Sequence, residues 1–186
     1  MKEFILKSFY GDIFFEFILQ NKPADAFILL PGFPSANYHD DIMRFLHEKG
    51  YNVFFPRYRG SYQSGGKFLE TNIVRDMESF LINLNSGNAL SLWNMKEKKF
   101  KIKRKILLSG SFGGAVSCGL AAQNKHFTHL ILSAPVWDFK KHNLYGDEED
   151  LDYLSNFVKK AYKNCYRYNF EKLTEKLTKI KEINPD

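Results

Sequence analysis

The segment SGSFGG, residues 109–114, constrains the fold of this chain more than any other feature. It follows a short apolar run and precedes a stretch of small residues, which together predict a strand, a sharp turn and a helix. Such a turn exposes its central serine and needs small residues two positions before and after it. Ser109 and Gly113 meet that need around Ser111. The alternatives are a Gly/Ser-rich turn that only joins strand to helix, or one that cradles a phosphate.

Short apolar runs alternate with helical patterns along residues 2–133. Uninterrupted apolar runs are typical of strands buried on both faces of a parallel sheet, and apolar spacings of three and four predict helices. The sequence therefore predicts an α/β fold: a mainly parallel, twisted sheet with helices on both faces, preceded by a β-hairpin. The predicted strands are residues 2–9, 12–20, 26–30, 52–55, 105–108 and 128–133. The predicted helices are residues 37–49, with Ile42, Phe45, Leu46 and Lys49 on the inner face, then 73–84 and 115–123.

Composition limits the partners that this chain can have. The 186 residues, 44% of them hydrophobic, suit one globular domain, and no apolar run is long enough for a membrane span. The net charge of +6 is concentrated in KEKKFKIKRK, residues 96–105. That run would suit a phosphate or an anionic membrane, but a solvated hairpin or strand lead-in is the favoured interpretation, because no nucleic-acid-binding module accompanies it. Cys118 and Cys165 form no metal-binding pattern, and no signal peptide is evident, so we expect no metal and a cytoplasmic location.

Three segments together resemble the α/β-hydrolase superfamily, in particular serine hydrolases of the serine-aminopeptidase, monoglyceride-lipase and dienelactone-hydrolase type. The first is SGSFGG. The second, AFILLPGFPS at residues 26–35, is similar to the strand and loop of the oxyanion hole, with Pro31 where the family usually has histidine. The third, VFFPRYRGSYQSGG at residues 53–66, keeps Arg59-Gly60 and Ser64 but has Tyr62 where a second glycine is common.

The resemblance implies a nucleophile, an oxyanion hole and a class of substrate. Ser111 would attack an ester, thioester or small amide, and the backbone N–H groups of Phe33 and Phe112 would hold the oxyanion. The partner would be a small-molecule acyl substrate, with no nucleic acid and no cofactor. Residues 140–186 would form a helical lid on a core domain of residues 1–139. The lid is rich in aromatic residues that suit an apolar acyl chain: Tyr145, Tyr153, Phe157, Tyr162, Tyr166, Tyr168 and Phe170.

Members of the superfamily continue past the lid into two further strands, which carry the catalytic acid and histidine, and this sequence is interpreted as stopping before both. The nearest substitutes are Asp138 as the acid and His142 as the base. His39 is instead assigned a capping or solvent-exposed role. Without its neighbours, strand 128–133 would be an apolar edge through which two copies of the chain could pair as a homodimer. The alternative to an active serine hydrolase is therefore an inactive hydrolase-like binding module or a gene remnant.

Overall fold

The computed structural model describes residues 4–33, 35, 39–123, 126–136 and 162. Its strands are β1 Leu6–Tyr10, β2 Ile13–Ile18, β3 Ala24–Leu30, β4 Asn52–Pro56, β5 Asn88–Ser91, β6 Lys96–Lys99, β7 Ile102–Gly110 and β8 His129–Pro135. In the described residues six of them form the main sheet, in the order β1-β2-β4-β3-β7-β8, and β5 and β6 form a separate hairpin. β3, β4, β7 and β8 run parallel, whereas β1 and β2 form an antiparallel hairpin whose second strand pairs with β4. The mainly parallel sheet and the leading hairpin are as predicted.

One face of the sheet is covered by helix α1, Asp40–Glu48. The predicted inner face of this helix is partly wrong: Met43 and Leu46 are buried against the sheet, whereas Ile42, Phe45 and Lys49 are exposed. Met43 and Leu46 are three residues apart and lie on one side of the helix, while Phe45 is about 100° away from Leu46. The helix ends close to the predicted position: Lys49 is its C-cap, and Gly50 follows at φ +93°.

The other face of the sheet carries helices α2, Ile73–Asn83, and α3, Ser111–Gln123. Asn72 caps α2, because its side-chain oxygen accepts hydrogen bonds from the N–H groups of Val74 and Arg75. The predicted apolar stripe of α2 is buried, and its last member lies in a 3-10 turn that follows the helix. Helices thus cover both faces, as predicted. The stripe comprises Ile73, Val74, Met77, Phe80, Leu81 and Leu84.

The basic run of residues 96–105 forms β6 and the exposed beginning of β7. β6 pairs with β5 in a hairpin that lies outside the main sheet. The run therefore has the predicted secondary structure, a hairpin strand followed by the lead-in to a strand of the main sheet.

The helical lid that the sequence predicts lies outside the described residues, except for Tyr162. Tyr162 is buried and forms an isolated bridge with Ser61. No helix in the described ranges is long and apolar enough to cross a membrane.

Candidate active site

Ser111 is the first residue of α3 and follows β7 without an intervening loop. Its φ of +50° lies in the left-handed region, which costs an L-residue roughly 1–2 kcal/mol. The strand beside it fixes this conformation: Ser111 bridges to Pro135, and the N–H of Val136 donates to the Ser111 carbonyl oxygen at 3.1 Å. The Ser111 side chain is exposed. The segment therefore has the strained turn with an outward-facing serine that the sequence predicts.

Glycines surround Ser111 because other backbone segments approach it closely. A Cβ on Gly110 would lie 2.7 Å from the Ser133 carbonyl oxygen, and one on Gly113 would lie 2.4 Å from that of Leu30. These separations are shorter than any normal contact, so no larger residue fits without moving the backbone. Ser109 and Ser117, both buried, add a hydrogen bond of 2.8 Å between their hydroxyl oxygens and so tie β7 to α3.

The loop after β3 lies against Ser111. A Cβ on Gly32 would be 3.5 Å from the Ser111 Cβ, so this loop passes directly beside the serine. Tyr58 fixes the loop by donating its hydroxyl proton to the Pro31 carbonyl oxygen at 2.8 Å. Complete burial raises the pKa of Tyr58 well above its ordinary value, so the phenol stays protonated and keeps this bond.

The rings of Phe33 and Phe112 belong to one aromatic cluster beneath the site. Their centroids are 5.5 Å apart, and Phe33 also stacks on Phe68 at 4.9 Å. Tyr162 packs edge-on against Phe33 at 4.8 Å, and the N–H of Ser35 donates to its hydroxyl oxygen at 3.2 Å. The structure therefore brings together all three predicted site residues, Ser111, Phe33 and Phe112, and one lid residue packs beside them.

An open cleft of about 400 Å³ begins at Ser111. It lies where the carboxyl ends of β3, β7 and β8 meet, which is where parallel α/β sheets bind ligands. Most of its lining is apolar, and one histidine is among the described residues that line it. The residues around it are Leu29, Leu30, Pro31, Gly32, His39, Ile42, Phe55, Leu108, Ser109, Gly110, Ser111, Ser133 and Ala134.

His39 lines this cleft, and the expectation of a capping or exposed role is wrong. α1 begins one residue after it, its side chain makes no capping bond, and its ring packs edge-on against Phe55 at 4.2 Å. Burial, helped by the charge of Arg57, lowers the pKa of His39, so the imidazole is neutral at pH 7. Its Nε2 is buried and has no hydrogen-bond partner among the residues that the structure describes. No local pattern in the sequence predicts this position of His39, because it follows from the packing of α1 on β4. Asp138 and His142 lie outside the described residues.

A larger cavity, of about 530 Å³, lies at the opposite end of the sheet. It is lined by the beginnings of β7 and β8, including Lys103, Lys105 and Thr128. Among the described residues that line it, none is a serine at a strained strand-to-helix turn like that of Ser111. The volume of a cavity alone therefore does not identify the candidate site. Among the residues that the structure describes, no group of three or more His, Cys, Asp or Glu side chains is arranged to hold a metal ion.

A family model described as serine aminopeptidase, S33, matches residues 21–186, which is most of the chain. This chain belongs to the serine aminopeptidase family. The match includes the loop after β3, the loop after β4 and the turn at Ser111, the three segments that carry the resemblance in sequence. No curated protein matches the chain.

Three solved structures share the fold of this serine aminopeptidase family member at 16–20% identity. The esterase Pf2001 of Pyrococcus furiosus has a TM-score of 0.59 at 16% identity, and the match covers 98% of this chain and 78% of that one. DcsB, in complex with a substrate analogue, gives 0.57 at 20% identity over 77% of this chain. Esterase B of Lactobacillus rhamnosis gives 0.51 at 17% identity, also over 77%. The chain spans 54% of DcsB and 50% of esterase B, about half of their length.

The Arg-Gly loop of this family member is held by ion pairs and by a glycine. Arg59 pairs with Asp12 and, at 3.3 Å, with Asp76, so it links the loop to the hairpin and to α2. A Cβ on Gly60 would lie 2.0 Å from the Phe68 nitrogen, so only glycine fits there. Tyr62 has φ +48°, which explains why glycine is common at that position. Its hydroxyl donates to the Ser35 carbonyl oxygen, so the departure from glycine ties this loop to the loop after β3.

Proposed function

We propose that this chain is a serine hydrolase scaffold with Ser111 as the nucleophile. The observation that carries the proposal is the φ of +50° at an exposed serine between β7 and α3. A serine that only joined a strand to a helix would have no need of a left-handed backbone beside an open cleft. The positive end of the α3 dipole at Ser111 also favours the negative charge that develops during acyl transfer.

The proposed reaction proceeds through an acyl-enzyme. The Ser111 hydroxyl oxygen attacks the acyl carbonyl carbon, its proton passes to a base, and the carbonyl oxygen becomes an oxyanion. The backbone N–H groups of Phe33 and Phe112 are proposed to donate to that oxyanion. Collapse of the tetrahedral intermediate releases the alcohol, thiol or amine with a proton, and water then hydrolyses the ester at Ser111. Asp138 and His142 stay predictions for the acid and the base.

The cleft favours esters, thioesters or small amides with an apolar acyl group. Leu29, Leu108 and Phe55 are among the side chains that line it, and they offer an acyl chain a surface without charge. Esters are the class to test first, since two of the structurally similar proteins are esterases by name.

The test is hydrolysis of p-nitrophenyl acetate, butyrate and octanoate by the wild type, Ser111→Ala and Ser133→Ala. Ser133 is the matched control because it lines the same cleft but does not lie at the turn between β7 and α3. We expect Ser111→Ala to abolish turnover, a loss of at least about 10³-fold, and Ser133→Ala to retain it. Turnover that survives in Ser111→Ala would contradict the assignment, and a wild type without turnover on any acyl substrate would favour the alternative, a hydrolase-like binding module.

A further inference from the structure

Large apolar side chains are exposed together at the tip of the β5–β6 hairpin. Trp93 is 82% exposed and Met95 67%, both in the turn between the two strands. Phe4, which is 75% exposed, stacks on Trp93 with a centroid separation of 6.3 Å. We call Phe4, Leu92, Trp93 and Met95 the hairpin-tip surface. Within the described chain these four side chains leave a patch of apolar surface exposed to water. Exposed apolar patches are typical of interaction sites.

The backbone holds the hairpin-tip surface in a defined place. The N–H of Leu92 donates to the Lys7 carbonyl oxygen at 2.9 Å, which joins the turn to β1. Within the turn, the N–H of Met95 donates to the Ser91 carbonyl oxygen at 2.8 Å. The aromatic pair is therefore presented on an ordered hairpin that is attached to the main sheet.

Lysines follow this surface along the chain. β6 alone carries Lys96, Lys98 and Lys99, and a strand rises about 3.3 Å per residue, so all three lie within about 20 Å of Trp93 along the chain. Lys101 comes just before β7, and Lys103 is its second residue. Within the described residues none of these five lysines forms an ion pair, whereas Arg104 beside them pairs with Asp25 at 2.5 Å. The positive charge of the hairpin is thus available to an external anion.

We infer that the hairpin-tip surface and the lysines of β6 dock this protein on an anionic phospholipid bilayer. Tryptophan and phenylalanine prefer the boundary between headgroups and acyl chains, and lysines next to them attract acidic headgroups. The lysines of β6 adjoin the apolar side chains of the hairpin-tip surface, and a bilayer likewise has charged headgroups next to its acyl chains. A nucleic acid would attract the same lysines, but it would leave Leu92 and Met95 without an apolar partner.

Docking would leave the Ser111 cleft facing water. β1 runs in the same direction as β4, because both are antiparallel to β2, and Leu6 is level with Phe54 through Phe17. Phe4 comes two residues earlier and is therefore near the level of Asn52, where β4 begins. Phe4 and Trp93 therefore lie at the amino end of the parallel strands, and Ser111 follows the carboxyl end of β7. Because the two sites are at opposite ends of the sheet, this inference does not depend on the proposed hydrolase activity.

The test is co-sedimentation of the whole chain with vesicles of phosphatidylcholine alone or mixed equally with phosphatidylglycerol. Trp93 emission is followed in Trp137→Phe protein, where it is the one tryptophan of the sequence. We expect binding and a blue shift only with the anionic vesicles. Lys96→Glu/Lys99→Glu should weaken binding roughly 25-fold or more, because each lysine near an anionic surface is worth roughly fivefold. Lys67→Glu/Arg75→Glu, with the same change in net charge at exposed positions elsewhere, should not weaken it.

A second pair of variants tests the apolar contribution. Trp93→Ser should weaken the binding that remains at high salt, where lysines are screened, and Phe45→Ser, which also removes an exposed aromatic ring, should not. Absence of binding to anionic vesicles, equal losses in both charge-reversal variants, or binding of an RNA oligonucleotide without binding of vesicles would each overturn the inference.

Discussion

At the scale of single residues, the site depends on a strained serine that its neighbours hold in place. The φ of +50° at Ser111 is unfavourable in free energy. Such a conformation persists only where the surrounding backbone leaves no other one available. The absence of a side chain at Gly113 lets α3 begin directly beneath the end of β3. The backbone conformation of Ser111 and the close packing of α3 on β3 therefore depend on each other.

Gly113→Ala should destabilise the protein even though alanine favours helices. Alanine gains up to about 1 kcal/mol in helix propensity, but its Cβ would lie 2.4 Å from the Leu30 carbonyl oxygen, and overpacking of this kind costs about 1–3 kcal/mol or more. We expect calorimetry to show a Tm lower by several degrees. Gly32→Ala is the control, because its Cβ would meet its nearest atom at an ordinary 3.5 Å. A Gly113→Ala protein as stable as the wild type would contradict the close approach.

His39 should make stability depend on pH. Because burial lowers its pKa in the folded chain, the unfolded chain binds the proton more readily below about pH 6.5. The free energy of unfolding should therefore fall as the pH decreases from about 6.5, by at most about 1.4 kcal/mol per pH unit. Urea titrations between pH 7 and 5 should show this slope in the wild type and in His129→Gln, and a smaller slope in His39→Gln. Identical slopes in all three proteins would show that His39 is not held neutral.

At the scale of elements, the sequence predicts the strands and helices whose residue pattern is compatible with only one kind of structure. β3, β4 and α2 match their predicted positions, because uninterrupted apolar runs and a regular apolar stripe have few other uses. The predicted inner face of α1 is partly wrong because Ile42 and Phe45 are apolar but exposed. The sequence alone does not tell which of two adjacent apolar rows on the helix packs against the sheet. β7 is longer than predicted because it begins at Ile102, which pairs with Ala24, and the charged residues after Ile102 interrupt the apolar pattern.

β8 remains the element through which we propose that two copies of the chain pair. In the described part of the chain it hydrogen-bonds to β7 on one side, and its Ile131 is 46% exposed. Ile131→Lys should shift a dimer towards monomer in light scattering, because lysine on an edge strand opposes strand addition. Ile82→Lys is a matched control, since Ile82 on α2 is equally exposed. If both variants have the oligomeric state of the wild type, β8 is not the interface.

At the scale of the whole molecule, the two ends of the sheet have different chemistry. The carboxyl end holds Ser111 and an apolar cleft, and the amino end holds lysines and exposed aromatic rings. The sequence could predict Ser111, Phe33 and Phe112 because each lies in a local motif. It could not place His39 at the cleft, because that position follows from the packing of α1 on β4, which no local pattern encodes.

Labelling with a fluorophosphonate probe tests the central claim, that Ser111 is an activated nucleophile, most directly. The probe reacts with activated serines, so the labelled residue is identified by mass spectrometry of the peptide that spans β7 and α3. We expect a single adduct on Ser111 that is lost in Ser111→Ala and retained in Ser133→Ala. Labelling that persists in Ser111→Ala, or no labelling of the folded wild type, would contradict it.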